Sequence, residues 1–229
     1  LKRTFLCLLF LTAFLLIASS VAPTAPADAA DHTWSISSIG TSLVSSSIAV
    51  DSDGNPHVSY ILSNDLYVAE LVDGTWNSQL IDAASQCGYN TVIAIDSQGY
   101  THIMYMDTTL SYAWTLMYAN NVDGYFMIYN LGQTLYYGFD MTLDSNDKVH
   151  VAYHPQSANV MSYGTNAGGS WVFGTINDGS IEVYPGAEFS IATDSQNHPH
   201  IAAVTYTDPV HLIYASYDGS SWGVETPDG

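Results

Sequence analysis

The sequence predicts an all-β chain, a β-propeller of four-stranded antiparallel blades. Three observations predict it. A 13-residue phrase occurs four times: IAVDSDGNPHVSY from Ile48, IAIDSQGYTHIMY from Ile93, MTLDSNDKVHVAY from Met141 and IATDSQNHPHIAA from Ile191. Its aspartates (Asp51, Asp96, Asp144, Asp194) recur at 45, 48 and 50 residues, a period that fits a four-stranded unit and is too long for a β-helix coil. Downstream of each phrase, an aromatic residue (Trp76, Phe126, Trp171, Trp222) follows a small one (Ala69, Ala119, Gly164, Ala215) by seven residues. The segments between turns are rich in β-branched and aromatic residues and show no helical period.

Taken from the N-terminus, residues 1–29 read as a secretory signal peptide. Lys2 and Arg3 precede an apolar run from Thr4 to Ile17, and Ala27-Asp28-Ala29 fits a small-x-small cleavage site. The apolar run is short for a membrane span. Residues 30–229 then form the propeller domain. His32 to Ile39 matches an outer strand, with Trp34 in the aromatic place. Four units follow, at about 41–83, 84–131, 132–180 and 181–229. In the first, strands a, b, c and d fall at 46–51, 56–61, 66–71 and 76–81. Ser-Asp-Gly-Asn between a and b is hairpin chemistry, and Val72-Asp73-Gly74 turns c into d. The expectation is four complete blades plus one extra N-terminal outer strand, a piece of a larger propeller.

Composition bounds the function. The chain carries three Lys and Arg against 22 Asp and Glu, a formal charge of −19. Beyond Arg3 there is no arginine, and Lys148 is the one lysine. Phosphate recognition needs such bases, so nucleic acid and anionic membrane surfaces are excluded as partners. Cys87 is the one cysteine beyond the leader, so no internal disulfide forms, and a partly buried, inert thiol is expected. The setting read from the leader is secreted, or extracytoplasmic.

The repeated units resemble the sialidase and Asp-box propeller superfamily, in particular secreted bacterial and archaeal proteins with tandem DSxGxPH blades. Ser216-Tyr-Asp218-Gly219-Ser-Ser-Trp222 approximates the Asp-box Ser-x-Asp-x-Gly-x-x-Trp and is one residue shorter. The resemblance implies an arginine triad for any working sialidase. With no arginine in the mature chain, sialidase chemistry is disfavoured.

The recurring pairs Asp51/His57, Asp96/His102, Asp144/His150 and Asp194/His200 read as hairpin ties, because a catalytic group is needed once and these occur in every unit. The Asp51-Ser-Asp53-Gly54-Asn55 turn offers oxygens to a Ca²⁺ ion, yet it lacks a distal glutamate and its Asp53 is not repeated, so a plain turn and no cofactor are expected. Function should therefore lie where the repeat is broken, on the face carrying the b–c and d–a connections. The second unit has the longest span from the strand-b His to the strand-d aromatic, 24 residues against 19, 21 and 22. That insertion holds Tyr112 and Trp114. The d–a connections hold Tyr89, Tyr136, Tyr137, Glu182 and Tyr184, and His154 lies at a b–c turn. Aromatic rings there suit sugar faces, with carboxylates and imidazoles for hydroxyls.

The leading reading is a secreted, non-catalytic, lectin-like module that binds an extracellular glycan or protein on that face, with no catalytic residue and no metal. The alternative is a polysaccharide-active hydrolase or lyase, drawing on the non-repeat carboxylates Asp107, Asp140, Glu182 and Glu188. A structural cell-surface repeat is the third reading.

Overall fold

The computed structural model describes residues 38–39, 43–109, 114–176, 182–183, 188–205 and 208–227. The leader and most of the extra outer strand at 32–39 lie outside the described residues. Among the described residues every regular element is a strand. Blade 1 comprises β1 (Leu43–Val50), β2 (Pro56–Leu62), β3 (Asp65–Val72) and β4 (Thr75–Asp82), paired antiparallel in chain order. Blade 4 repeats the order with β12 (Ser190–Thr193), β13 (Pro199–Val204), β14 (Leu212–Tyr217) and β15 (Trp222–Glu225).

Between them, β5 (Cys87–Ile95), β6 (Thr101–Asp107), β7 (Trp114–Asn120), β8 (Met127–Leu143), β9 (Val149–Pro155), β10 (Ser162–Thr165) and β11 (Val172–Thr175) form one seven-stranded sheet. The expected break between blades 2 and 3 at Tyr136-Tyr137 is a single 17-residue strand instead. The first part of β8 is the outer strand of blade 2, and the last part is the inner strand of blade 3. Leu135 pairs with Trp114 on one side and Pro155 on the other, so the ladder never lapses.

The core lies between consecutive blades. Ile61, Leu66 and Val68 of blade 1 meet Ile93, Ile103 and Ala119 of blade 2. Met104, Met106 and Leu116 of blade 2 meet Met141, Val149 and Val151 of blade 3. Ala152 and Met161 of blade 3 meet Ile191, Ile201 and Ile213 of blade 4. Successive side chains of a strand point to opposite faces, so Ile103 serves one junction and Met104 the next. The equivalent inner-strand residues Ile93, Met141 and Ile191 are 5%, 5% and 6% exposed, whereas Ile48 is 64% exposed, because no described blade packs on the outer face of β1. The small residues ahead of each aromatic are buried, and a side chain at Gly164 would collide with the Phe173 ring.

The repeated phrase is a hairpin lock. Asp96 Oδ1 accepts the Gln98 and Tyr100 N–H groups at 2.9 and 2.7 Å, and Oδ2 lies 3.2 Å from His102 Nε2. Asp51, Asp144 and Asp194 bind the same turn positions. Their distances to His57, His150 and His200 are 3.3, 3.4 and 3.6 Å. The far ring nitrogen of His102, His150 and His200 meets the hydroxyl of Tyr118, Tyr163 and Tyr214. In blade 1 the equivalent of those tyrosines is Val68, and His57 faces Glu70 at 3.4 Å.

Three residues after each aspartate the backbone is left-handed: Gly54, Gly99, Asp147 (φ 59°) and Asn197 (φ 67°). The two side chains placed in this costly conformation clasp the preceding blade. Asp147 accepts the Ser97 N–H and hydroxyl at 2.8 and 2.6 Å. Asn197 accepts those of Ser145 at 3.1 and 2.8 Å.

Candidate functional site

The inner strands of blades 2, 3 and 4 converge on a cavity of about 410 Å³ at their d–a end. Two bulges shape it. Between Cys87 and Thr91, β5 carries two more residues than its partner segment in β6. Between Leu135 and Phe139, β8 does the same against β9. A bulge re-aims side chains out of the ladder. Here the first sends Tyr89, 59% exposed, to the rim and places Asn90 in the wall. The backbone in that bulge runs tight against its neighbour: a side chain at Gly88 would strike Thr108.

Asp140 and Glu188 line the same cavity, with Phe139 and Phe189 beside them. Asp140 Oδ1 accepts its neighbour Met141 N–H at 2.8 Å, and Oδ2 accepts Ile191 N–H of the next blade at 2.9 Å. Burial pushes the Asp140 carboxyl above the usual carboxylate range, and the two N–H donors offset only part of that. The site thus presents an aromatic rim, an amide, and two carboxylates of which one resists ionisation.

The sequence-derived site residues divide. Tyr89 and Trp114 come together, with ring centroids 6.1 Å apart. Tyr136 and His154 form a second pair at 5.1 Å. His154 is fully buried, which takes it off the ligand surface expected for it, and burial lowers its pKa. Its environment is the Tyr136 ring and the Val183 backbone, because the bulge in β8 folds Tyr136 over it. Glu182 is exposed, next to the bridge from Val183 to Thr205, and does not line the cavity. Tyr112 and Tyr184 lie outside the described residues, as does the side chain of Tyr137. Of the four non-repeat carboxylates, Asp140 and Glu188 meet, while Asp107 caps its own turn through the Thr109 N–H and hydroxyl. Asn90 was not legible as a site residue, because nothing in its composition or position announces a bulge.

Among the described residues no group of three His, Cys, Asp or Glu side chains is placed to hold a metal ion. The Asp51 turn does not fit Ca²⁺. Both of its carboxylate oxygens face N–H donors, and those bonds hold the carboxyl down to about 2. Asp218 acts alike in the Asp-box-like segment, held down to about 2 by the Ser221 and Ser220 N–H groups and the Ser220 hydroxyl. Cys87 is buried, and desolvation with the nearby Asp82 pushes its thiol up to about 12.

Stacked antiparallel four-stranded sheets with a cavity at the mouth of their inner strands define a propeller-type all-β protein. No family model and no curated protein matches the chain. Solved propeller structures do. AofleA from Arthrobotrys oligospora superposes with a TM-score of 0.60 at 13% identity over 80% of this chain and 57% of its own. The Penicillium chrysogenum α-L-arabinanase complexed with arabinobiose gives 0.56 at 10% identity, covering 80% and 66%. A variant of the Aleuria aurantia lectin in complex with Fucα1-6GlcNAc gives 0.55 at 12%, covering 79% and 62%. The chain thus spans less than two thirds of each of these proteins, and at such identities the likeness establishes the fold.

Proposed function

We propose that this chain is a secreted carbohydrate-binding propeller that takes a neutral extracellular glycan on its b–c/d–a face. The observation that carries the reading is the contact of exposed Tyr89 with Trp114 at the rim of a cavity walled by Asn90, Asp140 and Glu188. Aromatic rings offer a face to the C–H groups of a sugar, and the carboxylates and amide accept and donate to its hydroxyls. Ligands named for the similar structures, arabinobiose and Fucα1-6GlcNAc, are small saccharides and support the same class. The Asp218 turn supports kinship with Asp-box propellers, but a chain without arginine beyond its leader has no clamp for an acidic sugar. Titration calorimetry with arabino- and fuco-oligosaccharides tests the reading. Binding should be lost in Tyr89→Ala and in Asn90→Ala, and binding that survives both substitutions refutes the site.

One observation favours hydrolysis as a second reading: two carboxylates share the cavity, and the buried one is held towards its protonated form, as a general acid requires. Release of reducing sugar from arabinan or fucosylated oligosaccharides, abolished by Asp140→Asn with binding retained, would establish it. Binding without turnover in the unaltered chain would remove it.

A further inference from the structure

On the opposite face, where the a–b and c–d turns lie, two clefts open between blades, and they are built alike. The cleft between blades 2 and 3 encloses about 410 Å³, and that between blades 3 and 4 about 330 Å³. Each is floored by a hydrogen-bonded histidine and tyrosine of the leading blade, His102 with Tyr118 and His150 with Tyr163. Each is walled by the tryptophan of the following blade. Trp171 stands edge-on to Tyr118 at 5.3 Å, and Trp222 edge-on to Tyr163 at 5.1 Å. A further tyrosine packs on each pair, Tyr129 stacked on Tyr118 and Tyr217 against Trp222. The residue after the left-handed turn position, Lys148 or His198, places a nitrogen group at each rim.

The first junction supplies the contrast. There Val68 stands in the tyrosine place and Phe126 in the tryptophan place, and both join one apolar cluster. Gly99 replaces the side chain that Asp147 and Asn197 bring to the other two junctions. That joint is apolar. The two later joints keep an apolar cluster, with Tyr118 and Trp171 in one and Tyr163 and Trp222 packed on the other, and set an aromatic cleft with a polar rim beside it.

We infer that these two clefts are a second, repeated set of binding sites, each for one ring of a neutral sugar. Their size suits a small polar ligand. Their walls are aromatic, and their rims donate and accept hydrogen bonds. A formal charge of −19 repels anions. The carboxylates at the clefts do not select a cation: Asp96 and Asp147 already accept N–H and O–H donors, Asp123 shares its cleft with the Lys148 ammonium, and no carboxylate lines the cleft between blades 3 and 4. The clefts stand apart from the cavity at Tyr89, so a chain engaging both faces would bridge glycans, with the gain in avidity that linked sites bring.

Indole N–H resonances separate the two faces. Titration of ¹⁵N-labelled protein with methyl glycosides of common hexoses, fucose and arabinose should shift the Trp171 and Trp222 signals. Val122→Tyr and Ala167→Tyr fill the cleft rims at exposed turn positions without touching the core. The first should silence the Trp171 response alone and the second the Trp222 response alone, with both variants unfolding as the parent does. Trp114 reports the opposite face. If Trp114 alone responds, the clefts fall and the cavity stands. If Trp171 and Trp222 alone respond, the clefts stand and the cavity falls. Responses of Trp171 and Trp222 that persist in the filled variants, or that appear with choline and with no glycoside, overturn the inference.

Discussion

Replacing the aspartate of the repeated phrase by alanine in each blade should give four different losses from one substitution. Asp96→Ala removes the acceptor of two turn N–H groups and of His102 Nε2, at 2.9, 2.7 and 3.2 Å. The turn N–H groups regain water, so each costs about 0.5 kcal/mol, the low end for a net hydrogen bond. His102 does not regain water, because its side chain is 5% exposed and that of Asp96 4%. An orphaned buried donor costs about 1–3 kcal/mol. The sum is about 3 kcal/mol, or about 6–12 °C in Tm for a domain of this size. Asp144→Ala should cost less than Asp96→Ala: both partners' side chains are 4% exposed, but at 3.4 Å His150 Nε2 makes no hydrogen bond that the substitution would remove. Asp51→Ala (17% exposed) should lose less, and Asp194→Ala least, since Asp194 and His200 are both 35% exposed and water takes over. Asp96→Asn should be milder than Asp96→Ala. The amide can donate to Nε2, and the ring then turns tautomer and donates from Nδ1 to the Tyr118 oxygen. Urea unfolding followed by tryptophan fluorescence ranks the variants through their midpoints. Equal losses in all four blades, or Asp194→Ala as costly as Asp96→Ala, would refute the burial argument.

Other consequences are open to measurement. Asp140→Asn should change stability little at neutral pH, because relief of a desolvated charge offsets the loss of one acceptor: the amide oxygen can still accept the Ile191 N–H, while the amide NH2 then faces the Met141 N–H; a large fall in Tm would contradict this. Stability should be flat between about pH 7 and about pH 8 and fall below about pH 6.5; above about pH 8.5 it should fall again, because the unfolded Cys87 thiol ionises there while the buried one, pushed up to about 12, does not. Burial lowers the pKa values of His102, His150 and His154, so from pH 6.5 downward the unfolded chain binds more protons than the folded one. Asp51 and Asp218, held at about 2, add a further loss as the pH drops from about 4 towards 2, while Asp140, shifted upward, acts in the opposite sense. A Tm that rises from pH 7 to pH 5 would show the histidine assignment to be wrong. Cys87 should resist iodoacetamide at pH 8 in the native protein and react once unfolded; rapid native alkylation would mean that it is not buried.

The repeated phrase determined a great deal by itself. Its period, its turn residues and the alternating strands were enough for four-stranded antiparallel units, because each unit writes its own local geometry in Asp, Gly and β-branched residues. It also marked Asp96 and His102 as scaffold, since every blade needs its hairpin tied. The meeting of Tyr89 with Trp114 was half legible, as two aromatics placed where the repeat is broken. The tertiary structure alone decided the rest. Two bulges, which leave no local signature, aim Tyr89 outward and fold Tyr136 over His154. Convergence of three inner strands sets Asp140 and Glu188 in one cavity though they are far apart in sequence. The stacking of blades then sets the Asp51–His57 lock, with Val68 in the tyrosine place, at an apolar joint with Phe126, and the Asp-His-Tyr locks of blades 2 and 3 at open clefts beside Trp171 and Trp222. Burial and clefts arise between blades, and a residue's sequence neighbours do not say which blade will cover it.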